Sequence, residues 1–229
     1  MYLKPSIHKP LAVLIAGLFP FFFSSGVACE PSAGGKTATI HADTPQPDRF
    51  VVRGERLVDL ERPGQAVFFR GMGYSPFLPG ESPILFGSPG NDGRYAEHLT
   101  LLRRMNVNYL HLFPRLMGSR FFQALDRTDL VYGQDIYIQT YENDYLHPAF
   151  LSRSLKIVKE IIDHTYKVGR PDRLVLFSIG DELVVESIIA TDTRHRGVRD
   201  YTGKHLSVSH RTPTEVALAM LVDQAMDYE

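Results

Sequence analysis

Residues 174–182 have the sequence LVLFSIGDE, in which a largely apolar run ends in a glycine and two adjacent carboxylates. A short apolar run of this kind is typical of a strand that is buried on both faces of a parallel sheet. The preceding stretch, residues 149–167, has apolar residues at helical spacing and is followed by Gly169 and Pro171, which end helices. The sequence therefore predicts a helix that leads directly into a buried strand over residues 174–179.

The same alternation of strand and helix is predicted on the N-terminal side of this unit. Strands are expected over 67–74, 108–113 and 135–140, with helices over 95–105 and 118–130 between them. The remaining elements are a short hairpin over 50–60, a long polar loop over 190–212 and a final helix over 214–226. Repeated alternation with short connections favours an α/β fold with a parallel sheet.

Two α/β architectures fit this pattern, a (β/α)8 TIM barrel and an open, doubly wound sheet. A dinucleotide-binding open sheet has a third glycine and an immediate helix after its first strand, and residues 71–76, GMGYSP, have neither. We therefore expect a TIM barrel of which about four β/α units are present, preceded by the short β-hairpin.

The composition is that of one globular domain. The chain has 229 residues, is 44% hydrophobic and has a formal net charge of -1. It has no basic run with interleaved aromatic residues, so nucleic acid is not an expected partner. The spacing of His195, His205 and His210 matches no zinc-binding pattern, and we expect neither a metal nor a cofactor.

The N-terminal residues predict export from the cytoplasm. In residues 1–29, Lys4 and Lys9 precede an apolar stretch that is too short to span a bilayer comfortably. The stretch ends in GVAC, which resembles the lipobox of bacterial lipoproteins and implies acylation of Cys29, the only cysteine. A plain secretory signal cut before Cys29 and an uncleaved anchor are the alternatives.

Three regions are therefore expected: a signal peptide over 1–29, a small and polar flexible tether over 30–48, and the barrel domain over 49–229. The lipoprotein interpretation places the protein on a membrane in the periplasm or at the cell surface, held by its lipid anchor. The plain secretory signal would instead release it outside the cell.

The candidate site residues lie where the predicted strands end, because barrels of this kind carry their chemistry at the carboxyl ends of the strands. Asp181 and Glu182 are the sharpest candidates, since burying two carboxylates behind an apolar strand is unfavourable unless they have partners. The alternative interpretation is a helix N-cap followed by an acid in the first turn.

Three segments resemble β-glucanosyltransferases and cellulase-like or family 2-like glycoside hydrolases, whose barrels carry catalytic acids on strands four and seven. The segments are VFFRGMGY (67–74), LTLLRRMNVNYLHLF (99–113) and LFSIGDE (176–182). The resemblance implies that Glu182 is the general acid/base, which donates a proton to the glycosidic oxygen and then activates water or an acceptor sugar. It also implies a nucleophile after the seventh strand, so we expect this chain to be the N-terminal half of the barrel and to lack the nucleophile.

The resemblance also implies residues that bind the saccharide. Tyr74 matches an aromatic residue that lines the sugar site, and Tyr141 is a candidate for stacking on a sugar ring. Asp181 replaces an asparagine that hydrogen-bonds the sugar, and His111 replaces an arginine that braces the nucleophile. For His111 and both tyrosines, the alternative is a side chain that is simply packed or hydrogen-bonded within the fold.

The expected function is that of a retaining glycoside hydrolase or transglycosidase that acts on a β-linked polysaccharide. The replacements at Asp181 and His111 leave a second possibility open. The chain would then be a non-catalytic, lipid-anchored glycan-binding protein with a degenerate barrel.

Overall fold

The computed structural model describes residues 2–3, 13–15, 49–81, 89, 93–141 and 144–229. The strands are β1 (Tyr2–Leu3), β2 (Val13–Ile15), β3 (Phe50–Arg53), β4 (Arg56–Asp59), β5 (Gly71–Tyr74), β6 (Tyr109–Leu112), β7 (Val131–Ile136), β8 (Leu174–Ile179), β9 (Tyr201–Thr202) and β10 (Leu206–Val208). The helices are α1 (Tyr95–Arg104), α2 (Ser119–Leu125), α3 (Pro148–Lys167), α4 (Val185–Arg194) and α5 (Pro213–Tyr228).

The fold is α/β, with β5, β6, β7 and β8 forming a parallel sheet in chain order. Strand β2 extends this sheet by pairing with the outer side of β8. Strands β3 and β4 form a separate hairpin, and β1, β10 and β9 form a small antiparallel sheet. The four parallel strands and their helices are compatible with barrel units, and the described residues do not close into a complete barrel.

One face of the parallel sheet is covered by helices and carries most of the core. Because side chains alternate between faces along a strand, Leu110 and Leu112 both point toward the helices and are fully buried. They pack with residues of α1 and α2, including Leu99 and Phe121. A second core lies between strands β7 and β8 and helices α3 and α5. Phe177 of β8 is fully buried in it.

The other face of the sheet contains glycines at positions where side chains would collide. Gly133 is opposite His111 in the register, and a Cβ atom at Gly133 would lie 2.0 Å from the hydroxyl oxygen of Tyr109. Only glycine lets the ring of Tyr109 lie across β7. The same ring packs against Phe69, which in turn contacts Phe50 of the β3–β4 hairpin. The hairpin therefore covers this face of the sheet beside Tyr109.

Several predicted elements are confirmed. The strand predicted over 174–179 is β8, the helix predicted over 149–167 is α3, and the hairpin predicted over 50–60 is β3–β4. The helices predicted over 95–105 and 214–226 and the strand predicted over 108–113 are α1, α5 and β6, each within two residues at either end. These are the segments with the strongest local apolar periodicity.

Other boundaries were wrong. The third strand covers 131–136 instead of 135–140, because residues 131–136 are buried on both faces and alternation of polar and apolar residues does not mark their ends. The first strand begins only at Gly71, and the second helix, predicted over 118–130, ends at Leu125.

The prediction of a polar loop over 190–212 was also wrong. These residues contain the end of α4 and the hairpin formed by β9 and β10. The buried residues of α4 are Ser187 and Thr191, so this helix has no apolar stripe from which it could have been recognised. Thr191 instead accepts a hydrogen bond from the backbone amide of Tyr145.

The N-terminal predictions concern residues that are mostly outside the described part of the chain. Cys29 and the tether over 30–48 lie outside it, and of residues 1–29 only the backbones of β1 and β2 are described. Strand β2, which pairs with β8, belongs to the apolar stretch of the predicted export signal. None of the helices in the described ranges is long and apolar enough to cross a membrane.

Candidate active site at the carboxyl ends of the parallel strands

Ionisable side chains from three neighbouring strands meet on the glycine-containing face of the sheet. His111 of β6 lies opposite Gly133, and Asp135 follows two residues later on the same face of β7. The two side chains approach to 3.9 Å between His111 Nε2 and Asp135 Oδ1. Asp181 and Glu182 follow β8 at the same end of the sheet.

Asp135 is the most unusual member of this group. Its side chain is 1% exposed, and neither carboxylate oxygen has a hydrogen-bond partner among the described residues. Burial, and then the neighbouring charge of Asp181, raises the pKa of Asp135 to about 8. The carboxyl group is therefore protonated at neutral pH and can donate a hydrogen bond.

His111 connects Asp135 to Tyr109. Its Nδ1 atom lies 3.4 Å from the Tyr109 hydroxyl, on the side of the ring away from Asp135. Burial lowers the pKa of His111 and the charge of Asp181 opposes this effect, with burial the larger influence. The imidazole is therefore neutral at neutral pH, and of these two neighbours only the Tyr109 hydroxyl lies within hydrogen-bond distance of it.

Asp181 and Glu182 lie in a sharp turn of the backbone behind Gly180. Gly180 has φ 94° and Glu182 has φ 46°, a left-handed conformation that is unfavourable for a glutamate. Asp181 is partly buried, and its Oδ2 atom has no hydrogen-bond partner within the described ranges. Burial, followed by the charge of Glu182, raises the pKa of Asp181, and His111 partly offsets this.

The helix-cap interpretation of Asp181 and Glu182 is not supported. Helix α4 begins at Val185, and its N-cap residue, Val184, makes no side-chain capping hydrogen bond. The two carboxylates precede the cap, so the helix terminus does not account for their presence.

The structure brings three of the predicted site residues together: His111, Asp181 and Glu182 form one electrostatically coupled group. Tyr74 lies elsewhere. It is adjacent to Leu112 in the register and therefore faces the helices, where it is buried and its ring stacks on Phe121 at 5.6 Å. Its hydroxyl lies 3.1 Å from His98 Nδ1, so a core position accounts for this side chain.

Tyr141, the second aromatic candidate, is 77% exposed and has no ring contact with the group around Asp181. It precedes residues 142–143, which are outside the described part of the chain. An exposed ring of this kind is available to a ligand, and the described contacts do not connect it to His111.

Sequence reasoning missed Asp135. The third strand was predicted to begin at residue 135, so Asp135 was assigned to the end of the strand that is remote from the chemistry. A carboxylate within the otherwise buried stretch VYGQDI was the available signal, because an acid in such a run requires a partner or a function.

The predicted histidine loop forms local structural contacts. His195 Nε2 lies 2.9 Å from both carboxylate oxygens of Asp144, and His205 is buried with its Nε2 atom 3.2 Å from Asp227. His210 Nδ1 lies 2.8 Å from the hydroxyl of Ser209. In the part of the chain that the structure describes, no three His, Cys, Asp or Glu side chains are arranged to hold a metal ion.

Comparison with known proteins finds no family model, no curated protein and no solved structure that matches this chain. The resemblance to glycoside hydrolases therefore rests only on the three sequence segments 67–74, 99–113 and 176–182.

Proposed function

We propose that this chain supplies the general acid/base, Glu182, of a retaining glycoside hydrolase or transglycosidase that acts on a β-linked polysaccharide. The observation that supports the proposal is the group His111, Asp135, Asp181 and Glu182 at the carboxyl end of a parallel sheet. This is the end at which barrel enzymes carry out their chemistry.

The exposure and the unusual backbone conformation of Glu182 both support this role. Its side chain is exposed, so a glycosidic oxygen can reach it. Its left-handed backbone is maintained at the end of β8 although it is unfavourable, and such conformations are concentrated at active sites. Glu182 would first donate its proton to the leaving oxygen and then, as a carboxylate, accept one from water or from an acceptor sugar.

Asp181 can replace the asparagine of the resembling enzymes. An ionised aspartate could only accept hydrogen bonds, whereas asparagine donates one to the sugar. Burial and the charge of Glu182 raise the pKa of Asp181, so it is protonated up to a higher pH than an exposed aspartate. In its protonated form it would donate a hydrogen bond to a sugar hydroxyl as an amide does.

A second function, glycan binding without turnover, is favoured by the open surface beside this group. A Cβ atom at Gly73, which is opposite His111, would meet nothing within 4 Å. A saccharide could lie over Gly73 while the exposed ring of Tyr141 provides a stacking surface.

The test is an assay of reducing-sugar release from β-1,3-glucan, β-1,4-glucan and mannan by the full-length protein. Glu182→Gln should lower kcat by about 10²–10⁴-fold and leave saccharide binding intact. Glu186→Gln is the matched control, because Glu186 is an exposed glutamate in the first turn of α4 and should retain full activity.

Binding without turnover by the wild-type protein would replace the first function with the second. If no glucan or mannan binds, both functions are wrong.

A further inference from the structure

The two outer strands of the four-stranded parallel sheet differ in exposure. At one edge, residues 71–73 of β5 are exposed, and a Cβ atom at Gly73 would meet nothing within 4 Å. At the other edge, Phe177, Ser178 and Ile179 of β8 are at most 2% exposed. The backbone amides and carbonyls of a buried strand need hydrogen-bond partners on both sides. The edge of β8 is therefore the one that requires a neighbouring strand.

The backbone of β8 has a defined outer side. The Gly180 amide donates a hydrogen bond of 3.2 Å to the Ile136 carbonyl of β7. Successive residues of a strand direct their amides to opposite sides, so the amide of Ser178 also points toward β7. The amides and carbonyls of Phe177 and Ile179 point to the other side. These are the groups with which a strand beside β8 can pair.

Residues 13–15, which form β2, lie on this outer side. They pair with β8 in parallel, with Leu14 beside Ser178. In a parallel ladder, a residue exchanges hydrogen bonds with the two residues that flank its partner. The register therefore places the Leu14 carbonyl opposite the Ile179 amide, and the Leu14 amide opposite the Phe177 carbonyl.

The same N-terminal segment has a second contact with the fold. Residues 2–3 form β1, which pairs antiparallel with β10 and places Leu3 beside Leu206. Leu206 is fully buried in the core that also contains Phe177 of β8. Two separate pairings therefore connect the N-terminal segment to the strands around this core.

The position of β2 is that of a fifth barrel strand. Strands β5 to β8 follow one another in chain order, so the strand after β8 in a closed barrel would lie at the outer edge of β8. Strand β2 precedes β5 in the chain and nevertheless occupies this edge, in the same direction. It also belongs to the apolar stretch that cleavage before Cys29 would remove.

We propose that the outer edge of β8 is a docking site for a parallel strand, and that residues 13–15 fill it in place of the strand that follows β8 in a complete barrel. Cleavage before Cys29 would open this edge next to Asp181 and Glu182. The comparison with a fifth strand rests on the barrel of the proposed function, whereas the docking site itself does not depend on catalysis.

The experiment measures hydrogen exchange of individual amides in the full chain by nuclear magnetic resonance. The Ile179 amide should be protected in the wild type, because it faces the Leu14 carbonyl. Leu14→Pro removes the amide that faces the Phe177 carbonyl, so exchange at Ile179 should become at least about tenfold faster. Exchange at Ser178, whose amide points toward β7, should change by less than about twofold.

Ile15→Pro is the matched control. It introduces the same ring one residue later, where the backbone amide points away from β8. An outermost strand tolerates proline at such a position, because no hydrogen bond to its neighbour is lost. Exchange at Ile179 should therefore remain as slow as in the wild type.

Three results would overturn the proposal. Fast exchange at Ile179 in the wild type would mean that the edge is uncovered, and equal effects of the two proline variants would mean that β2 is not its partner. Acceleration of Ser178 together with Ile179 would mean that the whole strand is lost and not its outer pairing. Because none of these measurements requires turnover, the docking site can fail while the role of Glu182 is retained, and the reverse.

Discussion

Asp135 and Asp223 are both buried carboxyl groups, and they differ in whether hydrogen bonds compensate for the loss of water. Asp135 in the parallel sheet is 1% exposed and Asp223 in α5 is 6% exposed. Asp223 accepts hydrogen bonds from the backbone amides of Lys204, His205 and Leu206 and from the Tyr201 hydroxyl. Asp135 has no such partner among the described residues.

The pKa values follow from this difference. Burial by itself would raise the pKa of both carboxyl groups. The amides of His205, Leu206 and Lys204 more than offset this for Asp223 and hold its pKa below the usual range. At Asp135 the backbone amide of Ile136 offsets burial only in part, and the pKa rises to about 8. Asp223 is therefore a structural carboxylate, whereas Asp135 has no hydrogen-bond partner for its carboxylate oxygens among the described residues and lies beside His111 in the candidate site.

The largest effect is expected when the structural carboxylate is removed. Asp223→Ala should lower the free energy of unfolding by about 3–5 kcal/mol, because three amides and a hydroxyl lose their acceptor in a buried position. Urea denaturation followed by circular dichroism measures it.

Asp227→Ala is the control for this variant. Asp227 lies on the same helix and interacts with Lys204 and His205 at the surface, so its loss should change the unfolding free energy much less than the loss of Asp223. Similar effects of the two substitutions would mean that Asp223 is not an anchor for the β9–β10 hairpin.

A change in stability of the opposite sign is expected at Asp135. Its pKa rises from 3.8 in the unfolded chain to about 8 in the fold, so the folded state binds the extra proton between these values. Wild-type stability should therefore fall as the pH rises from about 4 to about 8, and the loss is complete above that range. Asp135→Asn removes the titration and should be more stable than the wild type at pH 9, with little difference at pH 4.

Unfolding curves of wild type and Asp135→Asn between pH 4 and pH 9 test this prediction. The control is Asp129→Asn, which neutralises an exposed aspartate that pairs with Arg103. Its stability should run parallel to that of the wild type across the range. Parallel curves for Asp135→Asn as well would show that Asp135 is ionised throughout and has an unrecognised partner.

The smallest effect concerns the backbone of Glu182. Glu182→Gly should raise the free energy of unfolding by about 0.5–1 kcal/mol, because glycine adopts φ 46° without strain. Glu186→Gly, inside the first turn of α4, should instead lower it by about 0.5–1 kcal/mol. Thermal unfolding of both variants decides the matter, and a loss of stability in both would remove the argument that Glu182 is held in a strained conformation.

An element of the fold could be predicted well when the sequence pattern that marks it lies within the element itself. Strand β8 and helix α3 were predicted within one residue, since their apolar periodicity is contained within each segment. Strand β7 was displaced by four residues, because pairing with β6 and β8 fixes its ends and a doubly buried strand has no alternation to mark them. That displacement concealed Asp135.

The candidate site was predictable only in part, for the same reason. Asp181 and Glu182 follow an unmistakable strand, and His111 ends another, so all three could be named from the sequence. Tyr74 could equally be named, but the register places it beside Leu112 on the helix-covered face. Which face a side chain takes depends on the pairing of neighbouring strands, and a shift of one residue reverses it.

The sequence by itself determined the order of strands β5 to β8 and of the helices between them, their parallel alternation and the position of two carboxylates at the end of β8. These follow from short-range periodicity and from glycine and proline punctuation. Only the tertiary structure decided that Asp135 has no described partner, that Asp223 has four donors, and that Tyr74 belongs to the core. Each of these depends on groups far apart in the chain, because the free energy of a buried polar group is set by its spatial neighbours.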